Sequence, residues 1–294
     1  MNAAKTTPRQ PESFRADWLA LREPVDALAR DPALAQAFLS GLGARALVAE
    51  FGAGTASLLR YLLPQLRGNI DWLALDADPQ LWISARDQLA AFGRRSGITP
   101  ALLSPTSLSF TRAELNLNLH WQQQNLALVL PSPPFNVIVA SAWTDLVSAD
   151  WIMHFVRWAQ QTKVNTLYWT LAVDGQLAFT PTDPLDAALT QAFHADMRRD
   201  KGFGLALGPD SQTVVRPILE LAGYTVHTAT SDWRLSAACP ALTKQWLIGF
   251  VAAAVAARPE LADAANLWLA QRRNQLISDE LTIIVGHYDM LAQR

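Results

Sequence analysis

The sequence predicts an α/β domain built on a doubly wound, mostly parallel sheet, and three observations carry that expectation. From residue 44 onward, short apolar runs of strand character alternate with amphipathic stretches of helical period. The first of these runs, 44–51, ends in Gly52-Ala53-Gly54 directly ahead of a helical segment. The intervening helices are long enough to return the chain for a parallel strand, which places helices on the sheet faces. Ligands of such sheets sit beyond the carboxyl ends of the strands, near the reversal of strand order.

Composition bounds what the domain can be. The chain has 294 residues, with 24 Lys+Arg against 26 Asp+Glu and a formal charge of −2, which excludes nucleic-acid binding through bulk basic charge. That length fits two domains of ~150 residues or one large α/β domain with insertions. Hydrophobic residues make up 50% of the chain and charged residues 17%, below the usual ~25%, so a second buried layer or a subunit interface is expected. Cys239 is the only cysteine, which removes disulfides and multi-thiolate metal sites from consideration. The five His are scattered without the spacing of a zinc site. The first fifteen residues have no apolar signal-like core, and the longest apolar run, 246–257, falls short of the ~20 residues of a membrane span. A cytoplasmic protein with no membrane and no nucleic-acid partner is the expectation.

Taken in order, residues 12–42 read as short helices, because Trp18, Leu21, Val25 and Leu28 recur at helical spacing and Pro24 interrupts the run. Asp31-Pro32 has the N-cap and first-turn chemistry of a new helix. Strands are expected at 44–51, 70–75, 115–121, 135–140 and 166–172, with helices at 55–66, 79–92 and 151–161. Asp174-Gly175 reads as a turn that folds 176–179 back on the preceding strand. Residues 180–210 form a long excursion with one helix from Pro184 and a glycine-bearing KGFGLALGP; such a loop is the first suspect for substrate contact. A helix at 211–222 stopped by Gly223, a strand at 224–230, helices at 241–258 and 259–275 and a last strand at 281–286 complete the chain. The division is thus a helical cap at 1–43 and a main domain at 44–294 with insertions at about 180–210 and 236–275. The apolar stretch 246–257 is a buried helix or a homodimer seam.

The glycine loop carries the most information. Glycines after a strand let a ligand approach the backbone at a helix N-terminus. Glu50, two places before Gly52, disfavours a pyrophosphate and suits a cation. Together with the absence of a Tyr-x-x-x-Lys pair, it disfavours an NAD-dependent oxidoreductase. Glu50-x-Gly52-x-Gly54-Thr55, followed by Asp76 at the end of Trp72-Leu73-Ala74-Leu75, resembles motif I and its partner in class I S-adenosylmethionine (SAM) methyltransferases, and WLALREPVDALAR, RRDKGFGLALGP and VGHYDMLA resemble stretches of a bacterial methyltransferase group. The resemblance implies a seven-stranded sheet with a SAM site. The loop of Glu50, Gly52, Ala53 and Gly54 would pass beneath the methionyl part of SAM, and Asp76 with Ala77 would hold the ribose, since a carboxylate accepts two bonds from a vicinal diol. Asn125 and Leu126 fall where the family contacts adenine, and Ser141 and Ala142 where it borders the transferable methyl. Ala56 replaces the family's third glycine. Arg22 is a candidate for the SAM carboxylate by analogy with lid arginines of related folds.

The expected function is a SAM-dependent methyltransferase acting on a small, acidic molecule, the alternative being a SAM-binding regulatory or scaffold protein without turnover. Asp145, His194 and His287 are the candidate bases, in that order. His194, Arg198, Arg199 and Lys201 form a basic cluster that is either a solvated face or an anion clamp. Trp143, Phe203 and Trp233 are candidate aromatic walls of the acceptor pocket.

Overall fold

The computed structural model describes residues 14–132 and 134–294, so 1–13, part of the expected cap, lie outside the described residues. The N-terminal segment is one helix, α1 (Ala16–Ala29), that runs through Pro24 instead of breaking there. A second helix, α2 (Pro32–Gly41), starts at Asp31, whose carboxylate accepts the Leu34 N–H. Then follow β1 (Arg45–Phe51), a short α3 (Ser57–Leu62), β2 (Gly68–Asp76) and α4 (Pro79–Arg95). Pro64 and Gly68 keep α3 well short of the expected 55–66. Next come β3 (Thr99–Ser104), β4 (Ser107–Arg112), β5 (Leu115–Gln123), β6 (Val137–Ser141), α5 (Ala149–Gln161) and β7 (Thr166–Thr180). The chain closes with α6 (Asp186–Met197), α7 (Ser211–Leu221), β8 (Thr225–Thr230), β9 (Trp233–Leu235), α8 (Pro240–Ala257), α9 (Ala262–Ile277) and β10 (Thr282–Gln293).

The strands form one sheet in the order β3-β4-β5-β2-β1-β6-β7-β10-β8, with β9 paired to β10. Neighbours from β5 to β7 are parallel, and β10 is antiparallel to β7, β8 and β9. The order reverses between β1 and β6, the crevice where doubly wound sheets bind ligands. Seven strands make the expected frame. The β3–β4 hairpin on one edge and the short β9 raise the count to ten.

Two apolar layers cover the sheet. Leu34, Phe38, Leu58, Leu59, Leu62, Trp82 and Leu89 bring α2, α3 and α4 to one face. Trp151, Phe155, Val215 and Leu219 bring α5 and α7 to the other. A third cluster joins α6, α8 and α9 to Phe179, Ile283 and Val285. Its position follows from the length of β7. Ser141, the last residue of β6, pairs with Thr170, so 171–180 projects past the carboxyl edge of the sheet, with β10 alongside. Asp174-Gly175 is therefore not a hairpin turn: it is a bulge within one strand, at Gly175 φ +86°, where the register with β10 shifts. The Asp174 carboxylate fills the space that a Cβ on Gly286 would need, 2.1 Å from the Cβ position. His287 and Asp289 consequently lie in the middle of β10, not at a strand end.

The helix α8 has the length and apolarity of a membrane span, yet Leu242, Trp246, Leu247, Phe250 and Val251 are buried in the third cluster. The lobe of α6, α8 and α9 stands at the carboxyl edge, where α6 and α8 border the crevice beside β1 and β6. Arg272, fully buried on α9, ties this lobe together by an ion pair to Asp186 and a bond to the Pro181 carbonyl.

Candidate functional site

The turn from β1 to α3 is built from left-handed backbone. Gly52, Gly54 and Ala56 have φ of +62°, +53° and +61°. A left-handed alanine costs roughly 1–2 kcal/mol, so Ala56 takes its place in this turn at some strain. The loop is tied to β2: Ala53 donates to the Leu75 carbonyl, and the Gly54 N–H donates to Asp76 Oδ2 at 2.8 Å. Asp76 Oδ1 accepts the Asp78 N–H at 2.9 Å. A carboxylate has about four lone-pair sites, so Asp76 retains two for a ligand. Burial raises its pKa, and the amide bonds oppose that rise.

Glu50 lies beneath the loop, 2% exposed, and accepts the Trp72 indole N–H at 2.9 Å. Burial pushes its carboxyl up to about 7, opposed by Trp72 and by the Arg30 and Arg60 charges. Arg30, 2% exposed, donates to Ser141 Oγ at 3.0 Å and lies over the Tyr61 ring, which pins the end of α1 to the end of β6. Leu19 of α1 packs against Gly54, its Cδ1 3.4 Å from where a Cβ would be. The Trp143 ring covers Gly52, so a Cβ there would sit 2.7 Å from Cε3.

These elements enclose a cavity of about 780 Å³ at the carboxyl edge. Arg22, Glu50, Gly52, Ala53, Gly54, Asp76, Ala77, Asn125, Leu126, Ser141, Ala142, Trp143, Asp145, Arg199, Lys201, Phe203, Trp233 and His287 all line it. Residues far apart in sequence thus meet in one crevice. His194 and Arg198 do not line it. Arg198 donates to Asp210 at 2.8 Å and to the His194 carbonyl, an exposed pairing outside the cavity. The basic cluster splits accordingly: Arg199 and Lys201 turn inward and Arg198 faces solvent, because α6 ends at Met197 and the chain turns there. His194 is half-buried, and burial with the Arg198 charge lowers its pKa.

Within the cavity, Arg22 gives Nε and Nη2 to Asp26, while its guanidinium lies 4.8 Å from the Trp233 ring centroid. The Trp233 indole also donates to Asp26. His287 shares its Nδ1 hydrogen with the Val285 carbonyl at 2.8 Å, which leaves Nε2 as the acceptor nitrogen of a neutral ring. Burial and the Arg22 charge hold this imidazole down to about 4. Asp145 is 7% exposed, and its Oδ1 has no hydrogen-bond partner among the described residues. Burial raises its pKa against the pull of Lys201 and Arg22. Asp289 faces no ligand: its two oxygens accept the Leu171 and Asp31 N–H groups, a brace between β7 and α2.

The sequence reading passed over Trp18, Leu19, Phe193, Met197 and Trp246, which also line the cavity. Trp18 and Trp246 read as ordinary core positions of helices, and only the projection of β7 and β10 brings Trp246 over the crevice.

No family model and no curated protein matches the sequence. Among solved structures, the chain is similar to a cyclopropane-fatty-acyl-phospholipid synthase-like protein from Lactobacillus casei, with a TM-score of 0.51 and 13% identity over 97% of this chain and 96% of that one. A cyclopropane synthase from Mycobacterium tuberculosis aligns at a TM-score of 0.48 and 13% identity over 95% of each chain. A SAM-dependent methyltransferase from Thiobacillus denitrificans, solved with S-adenosyl-L-homocysteine (SAH), aligns at 0.45 and 13% identity over 96% of this chain and 100% of that one. The fold is that of the class I SAM-dependent methyltransferases.

Proposed function

We propose that the protein is a SAM-dependent methyltransferase acting on a small, acidic molecule. The observation that carries this reading is the pairing of Asp76 with the left-handed Gly52–Gly54 turn in the crevice at the strand-order reversal. The residues fit the cofactor. Asp76 keeps two lone pairs for a ribose diol, Gly52 and Gly54 line the cavity in left-handed conformations that L side chains rarely adopt, and the cavity volume lies in the ~300–1,000 Å³ range of small-molecule sites. Its acidic lining, with Glu50, Asp76 and Asp145, suits a cationic ligand.

In this reading Asp76 and Ala77 hold the ribose, Asn125 and Leu126 border the adenine, and the glycine turn with Ser141 and Ala142 carries the methionyl end. Arg22, fixed by Asp26 and Trp233, offers its remaining N–H groups to the cofactor carboxylate. When bound, SAM supplies an electrophilic methyl on a sulfonium. The chain's part is alignment and exclusion of water, which contribute much of the rate in such transfers. Trp143, Phe203 and Trp233 form the apolar walls beside the reacting centre. On this reading Asp145 Oδ1 or His287 Nε2 takes a proton from a hydroxyl or amine acceptor, and His194 and Arg198, outside the cavity, have no such role.

Titration calorimetry tests the reading. SAM and SAH are expected to bind in the micromolar range and NAD not at all; saturable NAD binding with no heat from SAM overturns the assignment.

A further inference from the structure

Beyond the part assigned to the cofactor, the cavity extends into a chamber between α1, the loop 198–208 and the lobe formed by α6 and α8. Its walls are aromatic. Trp143 and Phe203 meet edge to face at 5.2 Å, Trp233 lies 4.9 Å from the His287 ring, and Phe193 and Trp246 pair at 6.3 Å at the far end. Such walls favour a flat aromatic guest, since aromatic rings attract one another beyond the area they bury.

Most of the charges lining this chamber are already paired. Arg22 is joined to Asp26, and Arg199 to Asp196. Two groups remain. Lys201 forms no hydrogen bond or ion pair among the described residues, although it lines the cavity. Asp145, buried in the cavity lining, has an oxygen without a donor. The two feel each other electrostatically but form no ion pair. A buried acceptor without a donor is costly, and a ligand bringing an O–H or N–H recovers that cost. An ammonium without a partner at the same chamber calls for an anionic group.

Resting on the methyl-transfer reading, we propose that the acceptor is an aromatic carboxylic acid with a ring hydroxyl or amine. Lys201 holds its carboxylate, its O–H or N–H donates to Asp145 Oδ1, and its ring lies among Trp143, Phe203 and Trp233. Glycines 202 and 204, at φ +103° and +84°, flank Phe203 and let Lys201 and Phe203 approach the guest from one short loop.

The test is calorimetry on the full chain saturated with SAH. It uses the hydroxybenzoates and aminobenzoates, 4-methylphenol as the match without an anion, and 4-hydroxycyclohexanecarboxylate as the match without a ring π-face. At least one benzoate is expected to bind saturably, and at least about tenfold tighter than either match, the equivalent of about 1.4 kcal/mol. Lys201→Met should erase the preference over 4-methylphenol while leaving SAH affinity and the melting temperature unchanged. Asp145→Asn should weaken the benzoate and 4-methylphenol alike. The proposal is overturned if no benzoate binds the SAH-loaded protein, if either match binds as tightly, or if Lys201→Met keeps the preference. Failure of SAH itself to bind instead defeats the methyltransferase reading, and this proposal with it.

Discussion

Asp76 separates a ligand-binding role from a structural one, because its two oxygens already brace the glycine turn. Replacing it by Ala removes the bonds from the Gly54 and Asp78 N–H groups, at 2.8 and 2.9 Å, and leaves two partly buried donors. At roughly 1–2 kcal/mol for each, the fold should lose about 2–4 kcal/mol, or roughly 4–8 °C in melting temperature. That is less than the ~5–15 kcal/mol of an ordinary domain, so the variant is expected to remain folded at 15 °C. Loss of the ribose bonds adds a binding penalty of about 2–3 kcal/mol, which raises the SAH dissociation constant ~30–150-fold. Asp76→Asn keeps one acceptor oxygen for the turn and loses the charge; its melting temperature should fall less than that of Asp76→Ala, while SAH affinity still drops about tenfold. Calorimetry at 15 °C with thermal melts on the same samples reads both effects. If both variants melt lower yet bind SAH as the parent does, Asp76 is only a brace and the ribose is held elsewhere.

Four further outcomes are expected. Gly52→Ala combines a left-handed alanine with a Cβ 2.7 Å from Trp143, so it should cost about 2–4 kcal/mol and displace that ring; intrinsic tryptophan fluorescence unchanged from the parent contradicts this. Glu50 keeps its proton up to about 7 when folded but only to the ordinary carboxylate range when unfolded, so its contribution to stability declines as pH rises through that window. The melting temperature of Glu50→Gln relative to the parent should therefore climb between pH 5 and 8, and a flat difference refutes the buried titration. Arg198→Ala, at an exposed pair with Asp210, should change stability by less than about 1 kcal/mol and leave SAH binding intact; a large loss of SAH affinity would return Arg198 to the site. Arg272→Ala removes the cation beside Asp186, which keeps the Trp268 indole and Asp183 N–H bonds, and should destabilise the lobe by about 1.5–3 kcal/mol, read as early loss of amide protection in α6 and α9 by hydrogen exchange.

What could be read from the sequence divides along the distance over which each feature is determined. Gly52, Gly54, Glu50 and Asp76 were legible because a strand, a left-handed turn and a helix start are local events, fixed within a few residues of each other. The β3–β4 hairpin was missed because β3, with exposed Leu102 and Leu103, lacks the alternation that marks a half-buried strand, which left the alternating Leu108 and Phe110 of β4 without an evident partner. Asp174-Gly175 has the composition of a hairpin turn, and only the partner strand decides that it is a bulge. That decision has consequences for the site. A turn at 174 would have ended β7 near the sheet edge; the bulge carries it on to Thr180, and β10 with it, so α6, α8 and α9 have a platform above the crevice. Trp246 enters the cavity through that platform, and the end of α6 sends Arg199 and Lys201 inward while Arg198 pairs outside with Asp210. The glycine turn is local and the aromatic chamber rests on a long-range strand pairing, so on the proposed reading sequence changes in the lobe alter the acceptor while leaving cofactor binding intact. This independence predicts a concrete pattern: substitutions at Lys201 or Trp246 should change which aromatic acid binds without changing SAH affinity, and coupled loss of both would mean that the two halves of the cavity are one site.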